Sequence, residues 1–377
     1  MKNVKLAVIG AGHLGRIHAR LVQQLEHVEL VAVVDPVAAA RNAMAEELGV
    51  QPYADYREIL GKVDAAILAT PTATHHEIGV ELLQHDIHLL VEKPIALDTA
   101  EADDLVDTAR RQARVLQVGH VERFNPALAR VLPHIHEPKY IEAKRHSAFP
   151  FRSTDIGVVL DLMIHDIDVV LSLVRSPVRS VEALGMGVLT SYEDTANARI
   201  TFENGCVASL SASRVSYESE RSMQIWSAES FASIDFGLRT TTVVQPREDI
   251  LQGRFSVDAL SAEEQAHLKR HLFDELLKKE TIEGAEGNAL LDEQRDFVDS
   301  IRSARAPRVS GEAGRDALVL AQQILDQIAE HRWEGVSGSR IGPQALPPVA
   351  AAQILRGPHW DRARQTAEAP QRHKEAG

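Results

Sequence analysis

Gly10-Ala11-Gly12-His13-Leu14-Gly15 constrains the fold of this chain more than any other feature. The three glycines directly follow an apolar β-branched run, Val4 to Ile9, and open a helical pattern. At that junction they let the backbone turn tightly and approach a ligand, while the helix N-terminus offers unpaired N–H donors. Asp35 stands 20 residues past Gly15, at the end of the second apolar run, where its carboxylate can accept hydrogen bonds from ribose hydroxyls. A ligand-free glycine turn needs neither the strand nor the acid, so the pattern reads as a dinucleotide site. A carboxylate at this place also repels a 2′-phosphate, which makes NAD the expected cofactor rather than NADP. Capping of the helix after Pro36 by Asp35 is compatible with that role.

Further apolar runs at Leu30 to Val34, Ala65 to Ala69, His88 to Val91 and Val115 to Val118 alternate with helical patterns at 17–25, 37–48, 76–85 and 100–111. Buried runs separated by crossover helices form a parallel, doubly wound α/β sheet of the Rossmann type. This NAD-binding domain is expected over residues 1–121. From about residue 139 the rhythm changes to strand-like runs without helices between them: 140–146, 178–186, 196–202, 206–213, 223–227 and 240–244. An α+β domain with a large open, mainly antiparallel sheet is expected over 122–332, with Asn204-Gly205 as a hairpin turn and closing helices at 262–279, 290–303 and 313–331. Residues 333–377 hold 5 of the 16 prolines and little periodicity, and read as a mostly disordered tail.

Composition excludes several functions. A formal charge of −13 repels nucleic acid and anionic membrane surfaces unless a local basic patch reverses the field. A single cysteine, Cys206, can form neither an internal disulfide nor a multi-thiolate zinc site. No stretch reaches the roughly 18 apolar residues of a membrane span, and Val4 to Ile9 is too short for a signal-peptide core. A cytoplasmic protein with no nucleic-acid or membrane partner is expected. No histidine pair shows metal-ligand spacing, so no metal is expected either.

Ligands of open α/β sheets lie off the carboxyl ends of the strands. Two polar clusters sit there: Thr70-Pro71-Thr72, continuing to His75, and Glu92-Lys93-Pro94. Lys93 either holds a substrate oxygen or shares its proton, or is a surface lysine paired with Glu92. In the second domain Asp161 and His165, four residues apart, share a helix face. His165 is then a proton acceptor biased by a carboxylate, or Asp161 is only a helix cap and His165 a satisfied core histidine. Between Glu122 and Arg152, six cations (Arg123, Arg130, Lys139, Lys144, Arg145, Arg152) face three acids, a +3 stretch suited to an anionic ligand or a solvated strand face.

Together these motifs resemble the Gfo/Idh/MocA oxidoreductase family over about residues 1–330. The resemblance carries on Gly10-x-Gly12-x-x-Gly15, Thr70-Pro71-Thr72-x-Thr74-His75, Glu92-Lys93-Pro94 and Asp161-x-x-x-His165. It implies Lys93, Asp161 and His165 as the catalytic set, and a cofactor site comprising Gly10, Gly12, His13, Leu14, Gly15, Asp35, Thr70, Pro71, Thr72, His75, Glu92 and Lys93. It also implies a homodimer or homotetramer built through the open sheet. Val118-Gly-His120-Val-Glu122-Arg123-Phe124-Asn125-Pro126 and Val159-Leu-Asp161-Leu-Met-Ile-His165-Asp166-Ile-Asp168 look like the branch that oxidises the 3-hydroxyl of UDP-N-acetylglucosamine. That branch feeds an aminotransferase making the diamino sugar of some lipid A. On this reading Arg123, Asn125, Lys144, Arg145 and Arg152 place the nucleotide sugar. A free polyol or aldose such as inositol would leave the basic stretch without a partner, and a non-catalytic NAD-binding regulator would not need Lys93, Asp161 and His165 together.

Overall fold

The computed structural model describes residues 3–151, 156–283 and 287–331, so the tail expected at 333–377 lies outside them. The first unit runs β1 (Val4–Ile9), α1 (His13–Val22), β2 (Val28–Val34), α2 (Ala38–Leu48), β3 (Gln51–Tyr53), β4 (Ala65–Leu68), α3 (His75–Gln84), β5 (His88–Val91), α4 (Thr99–Arg111) and β6 (Leu116–Val118). Its six strands are parallel in the order β3-β2-β1-β4-β5-β6. Every residue of β4 is buried, as a strand covered on both faces requires. The order reverses between β1 and β4, which opens a crevice at their carboxyl ends. The short β3 has no hydrophobic signature of its own (Gln51-Pro-Tyr53) and is held by pairing with β2.

The chain then passes through α5 (Pro126–Val131) into an eight-stranded sheet. Its strands are β7 (Tyr140–His146), β8 (Val178–Met186), β9 (Thr195–Phe202), β10 (Val207–Ser213), β11 (Glu220–Trp226), β12 (Phe231–Asp235), β13 (Thr240–Pro246) and β14 (Leu277–Ile282). They lie in the order β14-β13-β12-β11-β7-β10-β9-β8, all antiparallel except β7 with β10. Alternation along β7 sends Ile141, Ala143 and Arg145 inward and Tyr140, Glu142, Lys144 and His146 outward. Asn204-Gly205 does join β9 to β10, with Gly205 at φ +83°.

The helix expected over 262–279 stops early. After the single turn α7 (Glu248–Leu251), a capping box at Ser261 and Glu264 starts α8 (Ala262–Arg270), but 277–282 joins the sheet edge as β14, the pairing with β13 outweighing a helix-prone composition. After α6 (Ile164–Val174), the last helices, α9 (Ala289–Ser303) and α10 (Gly311–Glu330), return to the first unit. Phe297 and Val298 enter the core around β1, while α10 buries Leu318 against the Rossmann side and Leu320, Ala321 and Ile324 against the open sheet. The two units are therefore fastened by 289–330 as well as by the site between them. Among the described residues no helix is long and apolar enough to cross a membrane, and no group of three His, Cys, Asp or Glu side chains is placed to hold a metal.

Candidate active site

The glycine turn is built for a ligand. Gly10 takes φ +102°, and a Cβ on it would meet the Ala69 carbonyl oxygen at 2.4 Å. A Cβ on Gly15 would sit 1.8 Å from the carbonyl oxygen of Gly10, so the helix can cross this close to the turn only without a side chain. Gly12, in contrast, has nothing within 4 Å of where a Cβ would lie, which leaves open space at the N-terminus of α1. That terminus has no side-chain cap and no acid in its first turn. Its N–H groups are thus available to a pyrophosphate, which the helix dipole also favours.

A cavity of about 760 Å³ opens beside this turn, within the range that holds a cofactor. Gly10, Gly12, His13, Leu14, Asp35, Thr70 and Pro71 all line it. Asp35 accepts from the backbone N–H of Ala11 at 2.7 Å through Oδ2 and of Val37 at 2.8 Å through Oδ1. It therefore clamps the glycine turn, and its remaining lone pairs stay available to ribose hydroxyls. Tyr56 and Arg57, on a 3₁₀ turn at Tyr56–Ile59 that the motifs did not reveal, close the far wall. We expect Asp35→Asn to keep the clamp partly but to remove the charge. Calorimetric titration should then show the preference for NAD over NADP falling about tenfold, about the worth of one charge-assisted contact.

Two of the expected cofactor residues, His75 and Glu92, act from behind. His75 is buried and reaches the carbonyls of Pro94 and Thr70, each at 3.0 Å. Burial holds its pKa below the ordinary histidine value, so the neutral ring donates to one of them and ties the two loops together. Glu92 accepts from His18 at 2.7 Å and from the Lys93 N–H at 3.2 Å. Burial opposes its charge, yet His18 and Lys93 together hold it below the usual carboxylate range. Gln294 of α9 donates to His18 Nδ1 at 2.8 Å, completing a chain of supports under Lys93. Thr72 begins the short turn Thr72–Thr74 and does not line the cavity.

Lys93 leaves the end of β5 and meets the second unit. Its Nζ donates to the Asp161 carbonyl at 2.7 Å and to Asp161 Oδ1 at 3.2 Å. Glu92 is thus not its surface partner. Asp161 is not the helix cap either, for it lies within a wide π turn, Val159–Met163, that leads into α6. Such turns concentrate at functional sites. The turn is held from behind by Glu193, which accepts from the Val159 N–H at 3.1 Å, and Gly157 is needed because a Cβ there would overlap that carboxylate. His165 follows on α6, half-buried, with Nδ1 enclosed and without a hydrogen-bond partner among the described residues. Burial first, then the charges of Lys93, Arg145 and Arg221, push its pKa well below the ordinary histidine value. The expected Asp161–His165 bias is accordingly replaced by an Asp161–Lys93 pair beside a neutral imidazole.

The five positions expected to place an anionic substrate do not come together. Arg145 is buried in an ion triad, donating to Asp166 at 2.8 and 3.1 Å and to Glu122 at 2.8 Å, so all three of its nitrogens are engaged by acids of the protein. Lys144, one residue away, is on the outer face of the sheet beside Glu142. Asn125 caps α5 and donates to Glu122 and to the Phe236 carbonyl. Arg152 lies outside the described residues. Arg123 reaches Asp168 at 3.3 Å and keeps partial exposure. A count of charges over 122–152 could not show this, because the neutralising acids Asp166 and Asp168 belong to α6. The cation that sequence reasoning missed is Arg221. It is exposed, opposite Arg145 in the β11–β7 register, acts on His165, and has no ion-pair partner among the described residues.

Residues 4–120 match the NAD-binding Rossmann fold of the Gfo/Idh/MocA oxidoreductases, and residues 134–230 match their C-terminal domain. UDP-N-acetylglucosamine 3-dehydrogenase of Acidithiobacillus ferrooxidans is 35% identical over 325 residues, 86% of this chain and 97% of that one. A solved structure of UDP-N-acetylglucosamine 3-dehydrogenase from the same organism, 34% identical, superposes with a TM-score of 0.76 over 87% of this chain and 98% of that one. Myo-inositol 2-dehydrogenase of Thermotoga maritima is 25% identical over 349 residues, 87% of this chain and 97% of that one. With a glycine cradle, a cavity and an acid that suit NAD, and both halves of the chain matched, this protein belongs to the Gfo/Idh/MocA family of NAD-dependent oxidoreductases.

Proposed function

We propose that this enzyme oxidises the 3-hydroxyl of UDP-N-acetylglucosamine, leaving a 3-keto sugar that an aminotransferase consumes on the way to a lipid A diamino sugar. The observation that carries the dehydrogenase chemistry is the junction of Lys93 with Asp161, with His165 one turn further along. Bound NAD supplies the hydride acceptor. His165, neutral at physiological pH, receives the hydroxyl proton. Lys93, fixed by two bonds to Asp161, keeps a third N–H for the substrate oxygen and stabilises the charge that develops there. The choice of sugar nucleotide rests on the 35% identical relative and on Arg221, an exposed cation with no ion-pair partner among the described residues, which suits a diphosphate. A neutral polyol would leave Arg221 idle, although a myo-inositol dehydrogenase is also a relative.

The same reading makes the enzyme a cytoplasmic homodimer or homotetramer. The half-buried rings of Tyr140, Trp226 and Phe231 cluster on the outer sheet face, with centroids 5.1 and 5.0 Å apart, and suit a second copy. Alcohol oxidation by NAD at neutral pH is unfavourable, so the assay must remove the ketone. A glutamate-dependent aminotransferase should convert UDP-N-acetylglucosamine to an amino sugar with NADH appearing at 340 nm, and mass and proton NMR should place the new nitrogen at C3. Rapid NAD reduction by myo-inositol, with no amino sugar from the nucleotide, would replace this reading with the polyol one.

A further inference from the structure

Three segments far apart in the chain converge on Glu92, the residue before Lys93. His18 of α1 lies with Nε2 at 2.7 Å from Oε1, the Lys93 backbone N–H donates to Oε2 at 3.2 Å, and Gln294 of α9 closes on His18 from the other side. His18, Gln294 and Glu92 are 0, 1 and 7% exposed, so water cannot stand in for any of these partners. The amide of Gln294 decides where the hydrogen of the ring stands. Its Nε2 lies 3.1 Å from the carbonyl oxygen of His18, which can only accept, and 2.8 Å from Nδ1 of the same residue. The NH2 group therefore faces both, Nδ1 accepts, and the hydrogen on Nε2 is donated to the Glu92 carboxylate.

The carboxylate has no way around these donors. A Cβ on Gly119 would come within 3.0 Å of Oε2, so the backbone after β6 closes that side. The charged and titratable groups that face Glu92 are His18 from α1, His75 from α3, Lys93 at its own strand end, His120 from the turn after β6 and Glu293 from α9. Burial first, then the charge of Glu92, raises Glu293 well above the ordinary carboxyl range, so Glu293 stands neutral and adds no second negative charge. Burial opposes the charge on Glu92 too, and the group that most offsets it is His18, ahead of Lys93. Glu92 is ionised chiefly because His18 faces it. Its charge then attracts Lys93, whose backbone it also holds.

His18 occupies the sixth position of α1, the helix that starts at the glycine turn. About 7.5 Å of helix axis separates it from His13, which lines the cavity beside that turn. We propose that His18 is a positioning residue for Lys93: through Glu92 it ties the lysine to the helix that faces the cofactor, so one rigid element sets both the hydride acceptor and the group that stabilises the substrate oxygen. This rests on the reading that Lys93 stabilises the charge developing on that oxygen. His18 is fully buried, does not line the cavity, and acts only through Glu92.

The test uses the full-length enzyme with NAD and whichever of UDP-N-acetylglucosamine and myo-inositol the wild type oxidises, so that a wrong sugar does not decide the outcome. His18→Leu removes the donor. In single-turnover NADH formation it should lose roughly tenfold near pH 7, about the worth of one charge-assisted hydrogen bond, while the calorimetric Kd for NAD stays unchanged. Without His18, burial pushes the Glu92 carboxyl up, so the neutral acid forms as pH falls and the carboxylate returns as pH rises. The loss should accordingly deepen at low pH and shrink toward pH 9. His18→Gln offers an amide N–H where the ring Nε2 stood, and should restore most of the rate. Loss by one factor at every pH, no loss, or no recovery in His18→Gln overturns the positioning. Should His18→Leu fail to fold, Glu92→Gln decides: it keeps the volume and abolishes the charge, so it should lose the same rough tenfold at every pH with NAD binding unchanged. Wild-type turnover in Glu92→Gln overturns the positioning. Lys93→Met separates the two readings. If it retains turnover, the role of Lys93 falls and the positioning with it; if it is inactive beside a His18→Leu of wild-type rate, the positioning alone falls.

Discussion

Lys93→Met should lower turnover by about 10²–10⁴-fold while NAD binds as tightly as before and the fold survives. The side chain contributes nothing to the cavity beside the glycine turn, so calorimetric titration with NAD should be unchanged. Its charge is exchanged for an apolar stem of similar length, and Asp161, its partner, keeps some exposure and can be solvated. The cost in stability is then about 1 kcal/mol, a shift of roughly 2–4 °C in the unfolding midpoint. The residual activity carries a second signature. Lys93 is one of the charges that hold His165 below its ordinary pKa, and His165 must be neutral to accept a proton. Removing the charge lets that pKa rise, so the acid limb of the variant's pH profile should move to higher pH. Wild-type turnover in Lys93→Met, or an acid limb that does not move, would show that Lys93 is a structural pairing and no more.

The sequence was most informative where a single local pattern sufficed. Gly10, Gly12 and Gly15 define the cradle because the backbone there admits no side chain, and a strand such as Ala65 to Leu68 reveals itself by being apolar on both faces. β7 and β8 run over residues 140–146 and 178–186, where strand-like runs are expected. Legibility ended where a residue's role depends on a partner distant in the chain. Asp161 and His165 share a helix face, but Lys93, 68 residues earlier, takes the carboxylate, and the π turn alters the spacing on which the pairing was argued. His18, Gln294 and Glu293 carry no local signature, since nothing in a single segment distinguishes a buried polar residue from an exposed one. β14 was hidden for the converse reason: the composition of Leu277-Lys-Lys-Glu-Thr-Ile282 leans toward helix, and its place at the edge beside β13 decides. The basic stretch at 122–152 combined both failures, because alternation sends Lys144 and Arg145 to opposite faces and the acids of α6 neutralise the inward one.

Arg145→Met should be the most destabilising single change among these residues, by about 3–5 kcal/mol, because it leaves two carboxylates inside the protein without their cation. Arg145, Glu122 and Asp166 have side chains only 5, 10 and 2% exposed, so water cannot replace the guanidinium. The triad joins β7, the turn after β6 and α6, and α6 carries His165. Its rupture should therefore loosen the site as well as the fold. The deficit should also depend on pH in a definite direction. Burial already raises the pKa of Asp166 even with Arg145 present, and without the arginine the neutral acid is the form the folded protein tolerates. A folded-state pKa above the unfolded value means that stability is retained at low pH and lost as pH rises from the unfolded value of roughly 3.9 through the folded one. Denaturant melts of Arg145→Met should accordingly lie closer to the wild type at pH 5 than at pH 8. Replacing Glu122 and Asp166 by leucine in the same chain should recover much of the loss, since apolar substitutes for a whole buried ion cluster are often neutral or stabilising. A variant that melts like the wild type but shows a raised KM for the sugar nucleotide would mean that Arg145 releases its carboxylates to bind substrate, and the triad would then be a feature of the ligand-free protein alone.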